Sequence, residues 1–314
     1  MRPVLYVVVP CYNEQEVLPE TSKRLKAKMA ALLESGRIDE KSRVMLVNDG
    51  SRDRTWAMIE ELHESDPLFA GVKLSRNRGH QNALLAGLMT AKEDADVTIS
   101  MDADLQDDID AIDRFMDEFE KGSDVVYGVR SERKNDTAFK RVTAECFYKL
   151  MKALGVDTVF NHADYRLLSR RVLEALAGYR EVNLFLRGMV PLVGFKSSTV
   201  MYERHERFAG VSKYPFKKML ALALDGITSL SVKPIRLILG LGVIIFLLSL
   251  VMLLYALISK WSGHADTGWT SILASIWMIG GIQLLCLGVI GEYIGKIYSE
   301  TKQRPRYIIE KILK

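Results

Sequence analysis

The stretch VLYVVVPCYNE, Val4–Glu14, runs apolar residue after apolar residue and then stops on a polar cluster. A strand with one wet face alternates apolar and polar side chains. A near-continuous apolar run instead belongs to a strand covered on both faces, as in a parallel sheet. The pattern recurs in RVMLVN (Arg43–Asn48), GVKLS (Gly71–Ser75), DVTISM (Asp96–Met101) and DVVYGV (Asp124–Val129). Amphipathic stretches such as EVLPETSKRLKAKMAALLES and TWAMIEELHES separate these runs. Strands alternating with helices predict an α/β doubly wound domain with a mostly parallel sheet and ligands at the carboxyl ends of its strands.

Polar motifs fall at those ends. PCYNE (Pro10–Glu14) follows the first run, NDGSRD (Asn48–Asp53) the second, SRNRGHQNALLAG (Ser75–Gly87) the third and DADLQDD (Asp102–Asp108) the fourth. Taken singly, each also fits a local role: NDGS makes a turn, and Asp53 caps the following helix. Asp107 and Asp108 likewise suit the start of a helix near Ile109, whose dipole favours negative charge. Four such motifs at one sheet edge make a binding cleft. Neither GxGxxG nor GxxxxGK[ST] occurs, so the glycine cradles for dinucleotides and nucleoside triphosphates are not supported. A diphosphate bound here would need a cation and basic side chains. Oxygen-rich Asp-x-Asp suits hard Mg²⁺ or Mn²⁺, with Asp102 and Asp104 facing one site and Gln106 adding a neutral oxygen.

The 314 residues suggest about two domains at ~150 residues each. A net charge of +4 indicates no nucleic-acid partner. Cys11, Cys146 and Cys286 lie far apart, without disulfide or zinc spacing, which fits a reducing cytoplasmic setting. Met1 leads almost directly into the first strand, so no signal peptide is expected. Two later segments, Leu237–Ile258 and Gly268–Ile290, carry no charged residue. Each runs about 22 residues, or ~33 Å of helix, enough to span ~30 Å of hydrocarbon. Arg204, Arg207, Lys213, Lys217, Lys218, Lys233 and Arg236 precede the pair, and Lys296, Lys302, Arg304, Arg306, Lys311 and Lys314 follow it. Positive-inside reasoning puts both termini in the cytoplasm and the SKWSGHADTG connection outside. YPFKKMLALALDGITSL, Tyr214–Leu230, reads as an interfacial helix in contact with membrane lipid. The expected organisation is a domain over 1–203, a juxtamembrane basic loop and interfacial helix over 204–234, a two-helix transmembrane hairpin over 235–291 and a basic tail over 292–314.

The motifs VVVPCYNE, VNDGSRDRT, NRGHQNALLAGL and MDADLQD, in that order, resemble the family 2 glycosyltransferases of the Rossmann-like GT-A fold. ADYRLLSR, RFAGVSKY, the paired apolar segments and GEYIGKIYSETKQRPRY narrow the resemblance to the polyprenyl-phosphate glycosyltransferases. That group holds the dolichol-phosphate mannose synthases and bactoprenol glucosyltransferases. The resemblance implies an inverting transfer of one sugar from a nucleotide-sugar donor to a polyprenyl phosphate acceptor at the bacterial cytoplasmic membrane. Glucose from UDP-glucose is the leading donor, with UDP-GlcNAc, GDP-mannose and a UDP-aminoarabinose as rivals. It implies that Pro10, Tyr12, Glu14 and Asp49 hold the nucleoside, and that Asp102 approaches the ribose or donor sugar. Asp104 and Gln106 would bind Mg²⁺ or Mn²⁺ beside the diphosphate. Arg130 and Arg141 would meet the acceptor phosphate, while Arg207, Ser212 and Lys213 would lie in a mobile loop that closes over the phosphates, Ser212 on the acceptor side.

Asp164, in ADYRLLSR, matches a position proposed as base or substrate organiser. A lipid phosphate is already ionised at neutral pH, so orientation ranks before base catalysis, and a salt bridge to Arg166 or Arg170 is the structural alternative. Relatives are described as tetramers, so a homo-oligomer is implied. Gly79-His80-Gln81 departs from the Asn-Gly-Lys-type triplet of many relatives, which leaves the contacts of His80 open. The Gln-x-x-Arg-Trp signature of processive synthases is absent. A non-catalytic membrane scaffold would be marked by loss of the Asp-x-Asp pair or the basic loop, and both are present.

Overall fold

The computed structural model describes residues 2–131, 162–203, 231–261 and 268–314. Arg141, Arg207, Ser212, Lys213 and the interfacial helix expected over 214–230 lie outside the described residues. The five anticipated strands are present as β1 (Leu5–Cys11), β2 (Arg43–Asn48), β3 (Phe69–Leu74), β4 (Val97–Ser100) and β5 (Val125–Arg130). Three more join them: β6 (His162–Ser169), β7 (Ser197–Tyr202) and β8 (Ile309–Leu313). The sheet order is β7-β5-β6-β4-β1-β2-β3-β8. β1 is parallel to β2 and β4, β2 to β3, and β5 to β7, whereas β6 and β8 run antiparallel to their neighbours.

Alternation along β1 explains the continuous apolar run. Leu5, Val7, Val9 and Cys11 enter one core with Leu18, Leu25 and Met29 of α1 (Leu18–Glu34), Ile59 of α2 (Thr55–Ser65) and Phe115 of α4 (Ala111–Glu120). Tyr6 and Val8 enter the opposite core, with α3 (His80–Ala91), α5 (Arg170–Ala177) and α6 (Leu186–Leu192). Both faces of the strand are buried, so period-2 polarity disappears from the sequence. Gly87 sets how closely α3 approaches: a Cβ there would lie 2.5 Å from Val8 Cγ1 and 2.6 Å from Val47 Cγ2.

The segment read as a basic tail divides in two. Residues up to Thr301 continue a helix, and Ile309–Leu313 returns to the α/β unit as edge strand β8. Lys73 pairs with Glu310 at 2.7 Å and Lys311 with Glu60 at 2.8 Å. The other compact unit contains α7 (Lys233–Trp261, 29 residues) and α8 (Trp269–Thr301, 33 residues). Many of their apolar side chains are exposed, Leu239 and Leu284 among them. Among the described residues one helix segment, Met278–Thr301, is long and apolar enough to cross a membrane.

Candidate active site

The parallel strands end along one edge of the sheet. Cys11 is in register with Asn48, and Asn48 with Lys73, while Ser100 closes β4 beside Val8. β5 runs in the same direction as β4, since each is antiparallel to β6, and so Arg130 reaches the same edge. β6 starts from that edge, with Ser100 Oγ donating to the Asp164 carbonyl at 2.6 Å.

The first two loops are fastened to each other. Asn13 N–H donates to Ser51 Oγ (3.0 Å), Glu14 N–H to Thr55 Oγ1 (3.0 Å), and Asn13 Oδ1 accepts from Arg52 N–H (2.9 Å). Asp53 accepts from Thr55 N–H and Oγ1 at 3.0 and 2.6 Å, as expected of a residue steadying the start of α2. Pro10 is buried inside β1, Tyr12 is exposed and Glu14 is half-buried. Asp49 is buried and receives Arg78 N–H on Oδ1 (2.7 Å) and Gly79 N–H on Oδ2 (2.9 Å). Burial pushes its pKa up, although these two amides favour the carboxylate. Gly50 lets the third loop close in. Its φ is +64°, and a Cβ would stand 2.4 Å from Asn77 N.

The acidic turn after β4 is pinned by Ala103 and Leu105, both buried, while Asp102 and Asp104 remain half-buried. Thr21 Oγ1 donates to the Ala103 carbonyl at 2.8 Å, tying the turn to α1. Leu105 has φ +56°, and Asp104 Oδ1 accepts Gln106 N–H at 3.2 Å. His80, whose contacts the sequence left open, donates from Nε2 to Asp102 Oδ1 at 2.9 Å. Burial opposes its charge, but the Asp102 hydrogen bond and the charges of Asp102 and Asp164 raise its pKa to about 9. Burial would raise the pKa of Asp102 in turn, and His80 overrides it and lowers it.

Asp107 is not a helix cap. α4 begins at Ala111, and it is Asp108 that accepts Asp110 N–H at 2.9 Å. Asp107 is buried and accepts Tyr202 O–H at 2.6 Å, while Tyr202 accepts from Arg130 Nε at 3.3 Å. Burial and the charge of Asp102 push Asp107 up to about 6, against the pull of Tyr202 and Arg130.

Asp164 is held by two arginines. Arg166 Nη2 donates to Oδ1 at 2.5 Å, and Arg187 donates from Nε to Oδ1 (3.2 Å) and from Nη2 to Oδ2 (2.9 Å). Burial would raise its pKa, but Arg187 and Arg166 hold it well below the usual carboxylate range. Arg170 pairs instead with Asp96. No local pattern marks Arg187 or Tyr202, and Gln81, which stands in the divergent triplet, accepts Leu186 N–H on Oε1 at 2.8 Å. Their partners lie across the fold. Among the described residues no three Asp, Glu, His or Cys side chains converge as a metal cage. Asp104 and Gln106 provide oxygen donors only, a set that fits Mg²⁺ or Mn²⁺ once phosphate oxygens complete the coordination.

An acidic turn and fixed arginines thus meet at the carboxyl edge of a mostly parallel sheet. A family model described as Glycosyl transferase family 2 matches residues 6–177, and one described as GtrB C-terminal hairpin matches residues 233–297. The chain belongs to glycosyl transferase family 2 and is a glycosyltransferase of the GT-A fold. It is 53% identical to the uncharacterized glycosyltransferase YkoT of Bacillus subtilis (strain 168), covering 98% of this chain and 92% of that protein. It is 40% identical to the prophage bactoprenol glucosyl transferase homolog of Escherichia coli (strain K12), covering 98% and 99%. The bactoprenol glucosyl transferase of Shigella phage SfII is also 40% identical, covering 97% of each chain.

Proposed function

We propose that the protein is a membrane-bound inverting glycosyltransferase that moves one glucose from UDP-glucose to undecaprenyl or a similar polyprenyl phosphate. The observation that carries this reading is the pairing, at one sheet edge, of the oxygen-donor turn Asp102–Gln106 with the Tyr202-buttressed Arg130. Such an edge suits two anions that must approach each other, a diphosphate beside a cation and a phosphate beside a guanidinium. The names of the full-length relatives support the lipid acceptor and the glucose.

The hairpin match and the two long apolar helices support a membrane anchor. β8 pairs with β3, so the chain that leaves after β7 comes back to the same sheet. An excursion through a bilayer between them must cross an even number of times, which favours two spans. The flanking lysines and arginines favour the cytoplasm for both termini.

In this reading Tyr12, Glu14 and Asp49 line the nucleoside side, with Pro10 beneath them. Asp102 faces the ribose or sugar. Asp104 and Gln106 would hold Mg²⁺ or Mn²⁺, which supplies Lewis-acid stabilisation of the leaving diphosphate. Arg130 neutralises the acceptor phosphate together with Arg141, with Ser212 of the basic loop hydrogen-bonding to it, while Arg207 and Lys213 of the same loop close over the nucleotide-sugar. Because the acceptor is ionised at neutral pH, Asp164 need not take a proton. Its two arginines make it a weak base and a firm anchor. Purified full-length protein with Mg²⁺ or Mn²⁺, undecaprenyl phosphate and a panel of nucleotide-sugars should yield lipid-linked sugar, most from UDP-glucose. No lipid-linked product with any donor would overturn the assignment.

A further inference from the structure

The departure at Gly79-His80-Gln81 has a structural counterpart. Asp49 fixes the backbone N–H groups of Arg78 and Gly79, and Gly79, at φ +86°, starts α3 with His80 as its first residue. Successive residues on a helix point ~100° apart, so neighbours reach different elements. His80 reaches Asp102, 22 residues away, and Gln81 reaches Leu186 N–H, 105 residues away. Leu186 is held at its other end by Arg166, whose Nη1 donates to its carbonyl at 3.3 Å. The next residue, Arg187, grips both oxygens of Asp164. One helix turn therefore braces Asp102 and Asp164 together.

The two aspartates differ in what they have left to offer. A carboxylate accepts about four hydrogen bonds. Both oxygens of Asp164 are taken by guanidinium groups. His80 occupies only Oδ1 of Asp102, and Oδ2 accepts from no described residue. A half-buried acceptor fixed in rotamer by an ion pair is suited to read a hydroxyl group, and such a polar contact discriminates strongly against a ligand that lacks it. We propose that His80 and Gln81 are positioning residues for the donor sugar. His80 presents Asp102 Oδ2 to a sugar hydroxyl, and Gln81 seats the α6 turn that locks Arg187 onto Asp164. This deepens the glycosyl-transfer reading and rests on it for the identity of the donor.

Calorimetric titration of the full-length protein in Mn²⁺ tests it, using UDP and UDP-glucose alongside GDP and GDP-mannose. Wild type should bind one nucleotide-sugar more tightly than its parent diphosphate. His80→Ala and Gln81→Leu should each lose about tenfold of that preference while diphosphate affinity stays within about twofold. His80→Lys, which restores a cationic donor, and Gln81→Glu, which restores an acceptor for Leu186 N–H, should recover most of it. A wild type without sugar preference, variants that keep the full preference, or equal weakening of diphosphate and sugar forms would each overturn the positioning role. Transfer to undecaprenyl phosphate by wild type is scored separately. Its failure would count against the acceptor reading and leave the binding ratio to decide this one.

Discussion

The turn after β4 buries Asp107 and the start of β6 half-buries Asp164, and the fold holds the two in opposite ways. Asp107 meets a neutral tyrosine hydroxyl amid other carboxylates, and its pKa climbs to about 6. Asp164 meets two guanidinium groups, and its pKa falls well below the ordinary range. Burial acts on both in the same direction, so the partners decide. The turn is left with negative charge in excess, a region that gains from a cation. The β6 side is already neutralised and behaves as scaffold. Asp107 takes its role from a residue 95 positions away, and Asp164 from Arg166 beside it in sequence together with Arg187, 23 positions away.

The strongest test of that contrast is Asp164→Asn. It leaves Arg166, which is 1% exposed, without its counter-charge. Losing one member of a buried pair costs about 3–5 kcal/mol, so a clear drop in the denaturation midpoint of the detergent-solubilised protein is expected. A midpoint within the error of wild type would mean that the clamp is not structural. Asp104→Asn should do the reverse. Its carboxylate is half-buried and carries no arginine clamp of the Asp164 kind, so stability should fall less than in Asp164→Asn, while transfer in Mg²⁺ falls about a hundredfold or more. A variant with full activity would remove the cation from the acidic turn.

Much of this was readable in advance, for reasons that particular residues show. β1 to β5 were legible because burial on both faces leaves continuous apolar runs, and Asp102 and Asp104 because they stand together where such a run ends. β7 was not, since only Val200 and Tyr202 of SSTVMY are buried. β8 reads as a basic tail because its charged Glu310 and Lys311 are spent on ion pairs at the sheet edge. Asp107 passed for a helix cap because acidic residues before a helix are common, and its real partner, Tyr202, lies on another strand. Arg187 and Gln81 act through contacts that no local pattern encodes.

A smaller effect sharpens the Asp107 half of the contrast. Tyr202→Phe keeps the ring packed edge-on against Tyr165 but removes the hydroxyl shared by Asp107 and Arg130. Stranding a buried acceptor costs ~2 kcal/mol, and the apparent KM for the lipid phosphate should rise as Arg130 loses its support. Adding Asp107→Leu to Tyr202→Phe should restore part of the stability, because removing both partners is less costly than removing one. A double variant less stable than the sum of the single changes would show that Asp107 has a second partner of equal weight.

The contrast also has a pH dependence, carried by His80, which faces Asp102 and Asp164, both raising its pKa, and Arg187, which lowers it. Folding lifts that pKa from 6.5 to about 9 despite burial. The folded state therefore binds the proton more tightly than the unfolded chain. Stability from this pair is fully present below pH 6.5 and is lost as the pH rises through about 9. Denaturation midpoints of wild type should decline across that window, and His80→Gln, which cannot take up a proton, should flatten the decline. Asp164→Asn should move the decline to lower pH, because it deletes one of the two negative charges acting on the imidazolium. Parallel pH profiles for wild type and His80→Gln would show that the imidazole stays neutral in the fold. The coupling between the neutralised β6 side and the acidic turn would then have to run through Arg187 alone.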